Sequence, residues 1–307
     1  MSAILVVRGA ADAGAIRRAL PGVVVHDLLD LNWPLPADTA VVVLRSGVRL
    51  GERELDALPR LRHVVRTGSG IDHIDVSALQ CRGITLHRNA DASAAAVGEW
   101  VLAAALALAR RIPLGQHALL LGRHEKEACM GVPLGTLAAG VWGAGPVGLA
   151  AGRALAPHVA RTAYAAWPSN PPGLRELSQA ALVEQSQVHV VALPLRATTR
   201  QFIGEEFLAR VSPHRPLLIC AGRLETLDVA ACLRALADGG LSGLALDSVE
   251  REHLPLLAGS TAPLNLLVSP HIGAQRADVR GVLDRWAIDL LREITADDKT
   301  LIEGGRR

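Results

Sequence analysis

Aromatic side chains are scarce in this chain, with two Phe, one Tyr and five Trp among 307 residues. An interior with so few rings has to be built from Ala, Val and Leu. Cysteines are few as well. Cys81, Cys129, Cys220 and Cys232 form no C-x-x-C pair, and a chain of this length needs no covalent staples. They read as reduced thiols of a cytoplasmic protein, and no zinc site is expected. Neither sign of charge dominates. The 32 Lys and Arg against 30 Asp and Glu leave +2, with no basic run, which argues against nucleic acid and anionic membranes as partners. Long apolar runs are missing too. The longest, Val101–Ala109, stops at Arg110-Arg111, far short of a membrane span. The start, Met1 to Arg8, lacks a basic leader region and reads as a first strand rather than a signal peptide.

What is present is an alternation of short apolar runs with helical segments, in a chain long enough for two domains. Runs at Ile4–Val7, Val23–Val25, Val41–Leu44, Leu61–Val65 and Ile84–Leu86 predict strands, and Ala11–Leu20 predicts a helix. Val97–Arg110 is a long Ala/Leu helix whose nearly continuous apolar character predicts burial between two units. A second series follows, at Ala139–Trp142, Thr162–Ala165, Val188–Leu193, Leu217–Cys220, Gly243–Leu246 and Leu266–Val268, with helix at Leu149–Leu155. A last amphipathic helix, Asp278–Ile294, is expected to return to the first domain, and the tail Glu303–Arg307 to fray. The pattern predicts α/β architecture: two doubly wound parallel sheets with a cleft between them. The expected division is residues 1–96 and 275–307 in one domain and 97–274 in the other.

Gly143-x-Gly145-x-x-Gly148 sits between a strand-like and a helix-like segment, with Pro146 and Val147 inside it. In a chain with 29 Gly such a spacing can be a plain tight turn. A strand before it and a helix after it turn the reading toward a dinucleotide pyrophosphate held at a helix N-terminus. The acidic residue that usually ends the next strand to hold the ribose is missing. That place falls at Ala166, and the polar groups nearby are Ser169, Asn170 and Arg161. NAD and NADP therefore both stay open.

Three residues beyond strand ends in the second half fit one reaction. Arg223 follows Leu217–Cys220, Glu252 lies past Gly243–Leu246, and His271 stands in Ser269-Pro-His-Ile-Gly273. Reducing a 2-keto acid needs a planar cation for the carboxylate, a proton donor for the carbonyl oxygen and a carboxylate that keeps the donor charged. Singly, each would pass as an ordinary loop or core residue.

Taken together these segments resemble the D-isomer-specific 2-hydroxyacid dehydrogenase family. Leu44-Arg-Ser46 resembles its early Arg-Ser, and Arg66-Thr-Gly-Ser-Gly-Ile-Asp-His-Ile-Asp75 its "R-A-G-x-G-x-D-N-I-D" loop. Val97-Gly-Glu-Trp100, Leu193-Pro-Leu195 with Thr198-Thr-Arg200, Gly222-Arg223, Ala245-Leu-Asp247 with Glu252, and Pro270-His-Ile-Gly273 follow in the family's order. The resemblance implies a Rossmann cofactor domain and a flavodoxin-like substrate domain. It implies Arg223 as the carboxylate-binding residue, His271 as acid/base and Glu252 as its partner. Arg45, Ser46, Ser69 and Gly70 would hold substrate. Leu193, Pro194, Cys220, Ala221, Asp247 and Gly273 would join the glycine loop around the cofactor, with Asp247 on the nicotinamide amide. A homodimer formed through the cofactor domain is also implied. The sequence departs from the family at Cys220 and Leu224 around the catalytic Arg, at His73, at His253 after the Glu, and near Gln275. Substrate choice is where those departures bear, and Arg45 suits a substrate with a second anionic group such as phosphate or phosphonate. Two other readings on this fold are oxidation of phosphite or formate, the latter disfavoured by Glu at 252, and an NAD(H)-sensing protein without catalysis.

Overall fold

The computed structural model describes residues 3–31, 34–258 and 262–297; the expected fraying of Glu303–Arg307 falls outside them. The chain divides into two compact units, residues 1–93 with 276–307 and residues 94–275.

In the first unit the strands are β1 (Ala3–Val7), β2 (Val24–Leu28), β3 (Thr39–Leu44), β4 (His63–Arg66) and β5 (Thr85–Arg88), joined by α1 (Ala13–Ala19), α2 (Glu52–Asp56) and α3 (Val76–Cys81). They pair in parallel in the order β2-β1-β3-β4-β5. β1 and β3 are buried along their whole length, as Val/Ile/Leu runs covered on both faces must be. On one face Ile4, Val6, Val43 and Val65 pack with Ile16 of α1 and with Ala287, Leu291 and Ile294 of the C-terminal helix Ala277–Asp297. The opposite face packs Leu5, Val42, Leu44 and Val64 against Leu55 and Leu79. The expected helix at Ala11 begins two residues later because Asp12 caps it, its carboxylate accepting from Ala15 N at 3.0 Å. That hydrogen bond holds the Asp12 carboxyl below its ordinary pKa.

The second unit opens with α4 (Ala94–Ala109) and α5 (Ile112–Leu120). Its sheet is built from β6 (Ala138–Trp142), β7 (Arg161–Ala165), β8 (Glu176–Leu177), β9 (Val188–Val191), β10 (Leu217–Cys220), β11 (Gly243–Leu246) and β12 (Leu266–Val268), all parallel. The order is β12-β11-β10-β9-β6-β7-β8. Between the strands lie α6 (Pro146–Leu155), α7 (Gln179–Gln185), α8 (Glu205–Val211), α9 (Val229–Ala237) and the short α10 (Leu254–Leu257). Within this unit α4 packs on α6 so closely that a Cβ on Gly98 would lie 2.7 Å from the Ala150 carbonyl oxygen.

Both sheets are doubly wound. The chain moves outward from β6 through β7 to β8 and then returns to the other side at β9, so strand order reverses between β6 and β9. The first unit reverses between β1 and β3. In open parallel sheets ligands bind beyond the carboxyl ends of the strands at such reversals.

Candidate active site

The loop after β6 fits a dinucleotide phosphate, and each glycine has its own reason to be there. Gly143 takes φ +103, and a Cβ on it would sit 2.8 Å from Ala192 O beyond the adjacent β9. A Cβ on Gly148 would overlap Gly143 O at 1.8 Å, so helix and strand can meet only with hydrogen there. Gly145 caps α6 and faces open space, with nothing within 4 Å of where a Cβ would stand, and Pro146 opens the helix without needing a donor. The free amides and dipole of the first turn point at that space. Trp142, the last residue of β6, braces the loop from below. Its Nε1 donates to His189 Nδ1 at 3.1 Å, and its ring meets Phe202 and Phe207.

At the end of β7, Ala166 is exposed. Arg161 opens that strand, level with Ala138, and therefore lies at the opposite edge of the sheet from the loop. This removes it from the polar groups the sequence offered for a ribose or its phosphate. Asn170 does approach, its Nδ2 donating to Ala165 O at 2.8 Å and to Glu176 Oε1 at 2.6 Å. Glu176, on β8, was not legible as a site residue. Two residues with no apolar run give no strand signal.

Beyond β9, Leu193 is buried and Pro194 O accepts from Thr199 Oγ1 at 2.6 Å. Beyond β10 the amides of Ala221 and Gly222 both donate to Val191 O, at 3.0 and 3.1 Å. Cys220 is fully buried, its pKa pushed up to about 12 by burial, and its thiol turns to Arg223 O. The Cys220 side chain is thus engaged inside its own loop. Thr226 Oγ1 donates to the same Arg223 carbonyl at 2.6 Å, so the backbone that presents the guanidinium is held on two sides. Leu224 lies in the core beneath it.

Asp247, just past β11 and 4 % exposed, organises the turn that carries His271. Its carbonyl accepts from His271 N, Oδ1 from Ser269 Oγ at 2.7 Å and Ile272 N at 2.9 Å, and Oδ2 from Gly273 N at 2.8 Å. Three consecutive amides thus converge on one aspartate. His271 reaches that geometry with φ +58, a left-handed conformation that a side-chain-bearing residue rarely adopts. A Cβ on Gly273 would meet Asp247 Oδ2 at 2.6 Å. Ser248 Oγ donates to Gly222 O at 2.6 Å, and Ser248 bridges Pro270. The loops bearing Arg223 and His271 are thereby stitched together over three adjacent strands.

Glu250 Oε1 lies 3.9 Å from His271 Nδ1, within ion-pair range of the imidazole. Glu252 lies exposed on the 3₁₀ turn Arg251–His253, two residues further along the same segment. The turn is pinned at Glu250, whose amide donates to His253 Nδ1 at 3.0 Å while His253 N donates back to Glu250 O. This leaves Glu250 beside the extended backbone leaving β11 and carries Glu252 onward.

In the first unit, Arg45 sits at the β1/β3 reversal. Its Nε donates to Arg8 O at 2.9 Å and Nη1 to Ser46 O at 3.1 Å. Arg66, 5 % exposed, gathers the carbonyls of the following loop, with Nε to Gly70 O at 2.9 Å and Nη1 to Thr67 O at 2.6 Å. Arg88 takes Ser69 O at 3.3 Å. In a trans peptide the N–H points opposite to the C=O, so the amides of Gly70 and Ile71 turn away from these guanidinia. They form a short donor edge.

Residues 102–273 match the sequence profile described as D-isomer specific 2-hydroxyacid dehydrogenase, NAD binding domain. The chain belongs to that family. Among curated relatives of these dehydrogenases, glyoxylate/hydroxypyruvate reductase B of Yersinia pseudotuberculosis is 28 % identical over 260 residues, covering 81 % of this chain and 79 % of the relative. Two solved structures share the fold. D-lactate dehydrogenase of Aquifex aeolicus, complexed with NAD and lactic acid, superposes with TM-score 0.83 at 21 % identity, covering 98 % of both chains. The NADPH-dependent glyoxylate/hydroxypyruvate reductase of Sinorhizobium meliloti, complexed with NADP and malonate, gives 0.77 at 24 % identity, covering 95 % of this chain and 93 % of the other. Among the described residues of this dehydrogenase, no group of three or more His, Cys, Asp or Glu is arranged to hold a metal ion, and no helix is long and apolar enough to cross a membrane.

Proposed function

We propose that this dehydrogenase reduces a 2-keto acid to a 2-hydroxy acid with NADH or NADPH. What supports the reading is the hydrogen bonding that ties the loop bearing Arg223, beyond β10, through Ser248 and Asp247 to the turn bearing His271, beyond β12, in the unit that also carries a glycine loop fitted for pyrophosphate. The reduced nicotinamide supplies the hydride. Gly143, Gly145, Pro146, Val147 and Gly148 hold the pyrophosphate, with Leu193, Pro194, Ala221 and Gly273 lining the nicotinamide end. Asp247 Oδ2 accepts one bond from Gly273 N, which leaves acceptor capacity for the carboxamide. Arg223 binds the substrate carboxylate and polarises the carbonyl, since its planar fork matches two oxygens at once. His271 gives its Nε2 proton to the carbonyl oxygen as hydride reaches carbon, and a carboxylate of the Glu250–Glu252 turn keeps the imidazole charged. In the first unit the amides of Gly70 and Ile71 offer donors suited to a carboxylate, the role expected of Ser69 and Gly70. Four free cysteines fit a reducing, cytoplasmic setting.

Oxidation of NADH and NADPH at 340 nm against a panel of 2-keto acids tests the proposal; binding of dinucleotide without turnover of any acid would replace it with a sensor. Arg45 with Ser46 takes a second anionic group, such as a phosphate or phosphonate. Arg45→Ala should then raise KM for dianionic keto acids about tenfold or more and leave pyruvate nearly unchanged, a charged hydrogen bond being worth about 1.5–3 kcal/mol. Equal effects on both would dismiss that role.

A further inference from the structure

A dinucleotide-binding unit chooses between its two cofactors at the end of the second strand, because the adenosine ribose lies over it with either a free 2′-hydroxyl or a phosphate ester. The residue there is Ala166, which has no polar side chain to make the choice. The neighbouring strand fills the gap. β8 pairs with β7 so that Glu176 stands level with Tyr164 and Leu177 level with Ala165. Ala166 N donates to Leu177 O at 2.9 Å, which carries the pairing to the ribose position itself.

Alternate residues of a strand share a face, so Glu176 leaves the sheet on the side of Tyr164 and Ala166. That is the side of α6, because the Tyr164 hydroxyl lies where a Cβ on Gly152 would be. Asn170 then fixes the carboxylate. One amide nitrogen bridges Ala165 O and Glu176 Oε1, so the carboxylate sits two hydrogen-bond lengths from the last carbonyl of β7. The loop that presents Asn170 is stiff. Asn170 N closes a turn onto Trp167 O at 3.0 Å with Pro168 inside it, and Pro171 and Pro172 follow.

Building on the dinucleotide reading of the glycine loop, the geometry points to Glu176, held by Asn170, as the residue that receives the ribose diol of NAD(H) and turns away NADP(H). Only Oε1 is engaged by Asn170, and a carboxylate has acceptor capacity for two hydroxyls beyond that bond. The same carboxylate facing a 2′-phosphate brings two anions together with no proton to share. Arg175, one residue earlier, is the nearby cation that would speak for a phosphate, and it serves as the counter-variant.

Direct binding tests this without any substrate. The purified full chain is titrated with NADH and NADPH, followed by quenching of tryptophan fluorescence, and with ADP-ribose and its 2′-phosphate by calorimetry. The wild type should bind NADH about tenfold or more tighter than NADPH, the size expected of a charged hydrogen bond. Glu176→Gln, an isosteric change at an exposed edge, should bring the ratio close to one, Asn170→Ala should do so in part, and Arg175→Ala should leave NADH preferred. A wild type that prefers NADPH, or a ratio that Glu176→Gln does not move, overturns the assignment and leaves the dinucleotide reading standing. A wild type that binds neither NADH nor NADPH overturns both readings.

Discussion

At the scale of the residue, two glutamates two positions apart compete for one imidazole. Motif spacing selects Glu252; the fold brings Glu250 to 3.9 Å from His271 Nδ1. A carboxylate at that range favours imidazolium, the form that donates the proton. Glu250→Gln should therefore lower kcat/KM for keto acid reduction about tenfold or more, the scale of general acid–base effects. Glu252→Gln should cost clearly less; the reverse ranking would return the role to Glu252. The sequence could place the Arg, the His and an acidic turn between them. It gave no sign that Glu250 as well as Glu252 lies on that turn within reach of the ring, because the backbone leaving β11 sets its distance. His189 was equally illegible, reading only as one position of an apolar strand. Burial holds its pKa down to about 3, while an unfolded His takes its proton near 6.5. Its Nδ1 accepts from Trp142, so the ring proton sits on Nε2, which is buried without a partner. Because the unfolded chain binds the proton first, the stability is full above pH 6.5 and drains as pH falls toward 3. By pH 4.5 the loss should reach about 3 kcal/mol. Urea unfolding across that range measures it, and a His189→Gln variant that keeps the same acid slope would rule out this histidine as its source.

At the scale of the element, the third glycine of the β6–α6 loop joins sequence to packing most tightly. A methyl on Gly148 would stand 1.8 Å from Gly143 O, and since that atom is backbone the helix must shift. Gly148→Ala should cost about 2–3 kcal/mol, the size of overpacking, and abolish measurable dinucleotide binding by moving the α6 N-terminus. A thermal melt and an NADH titration check both, and an unchanged melting temperature would show that the loop has room. Most strands could be read from apolar runs because parallel strands covered on both faces need them: β3 is Thr-Ala-Val-Val-Val-Leu with every residue buried. β8 has no such run, because an edge strand of two residues is defined by its partner. Several helices went unread for a related reason. α2 and α3 are five and six residues long and expose at least half of their positions, too short for a 3.6-residue period to emerge. The C-terminal helix was readable because it is long enough to repeat an apolar stripe, Ala287-Leu291-Ile294, that packs on the first sheet.

At the scale of the whole molecule, the apolar character of α4 and α5 has a consequence for assembly. Apolar residues left in water in quantity mark a surface that another protein covers. Along and after α5, Leu119 is 65 % exposed, Leu120 78 % and Met130 79 %, with Ile112, Leu121 and Val132 also exposed. The segment carrying Met130 folds back on the junction of α4 and α5. Arg111 Nη1 holds Ala128 O at 3.0 Å, Val132 N donates to Ala109 O at 2.9 Å, and Gly131 packs on the same carbonyl. The expected homodimer, formed through the second unit, predicts that a second copy of this chain covers these side chains. An interface of about 800 Å² per partner with an apolar centre would be held chiefly by these leucines. The wild type should run at twice the 32.3 kDa chain mass in light scattering at micromolar concentration, with a melting temperature that rises with concentration. Leu120→Glu places a charge on one of the most exposed of these side chains. It should halve the observed mass without unfolding either unit, since Leu120 belongs to neither core. A wild type that is monomeric throughout that range would mean that something other than a second copy covers these leucines.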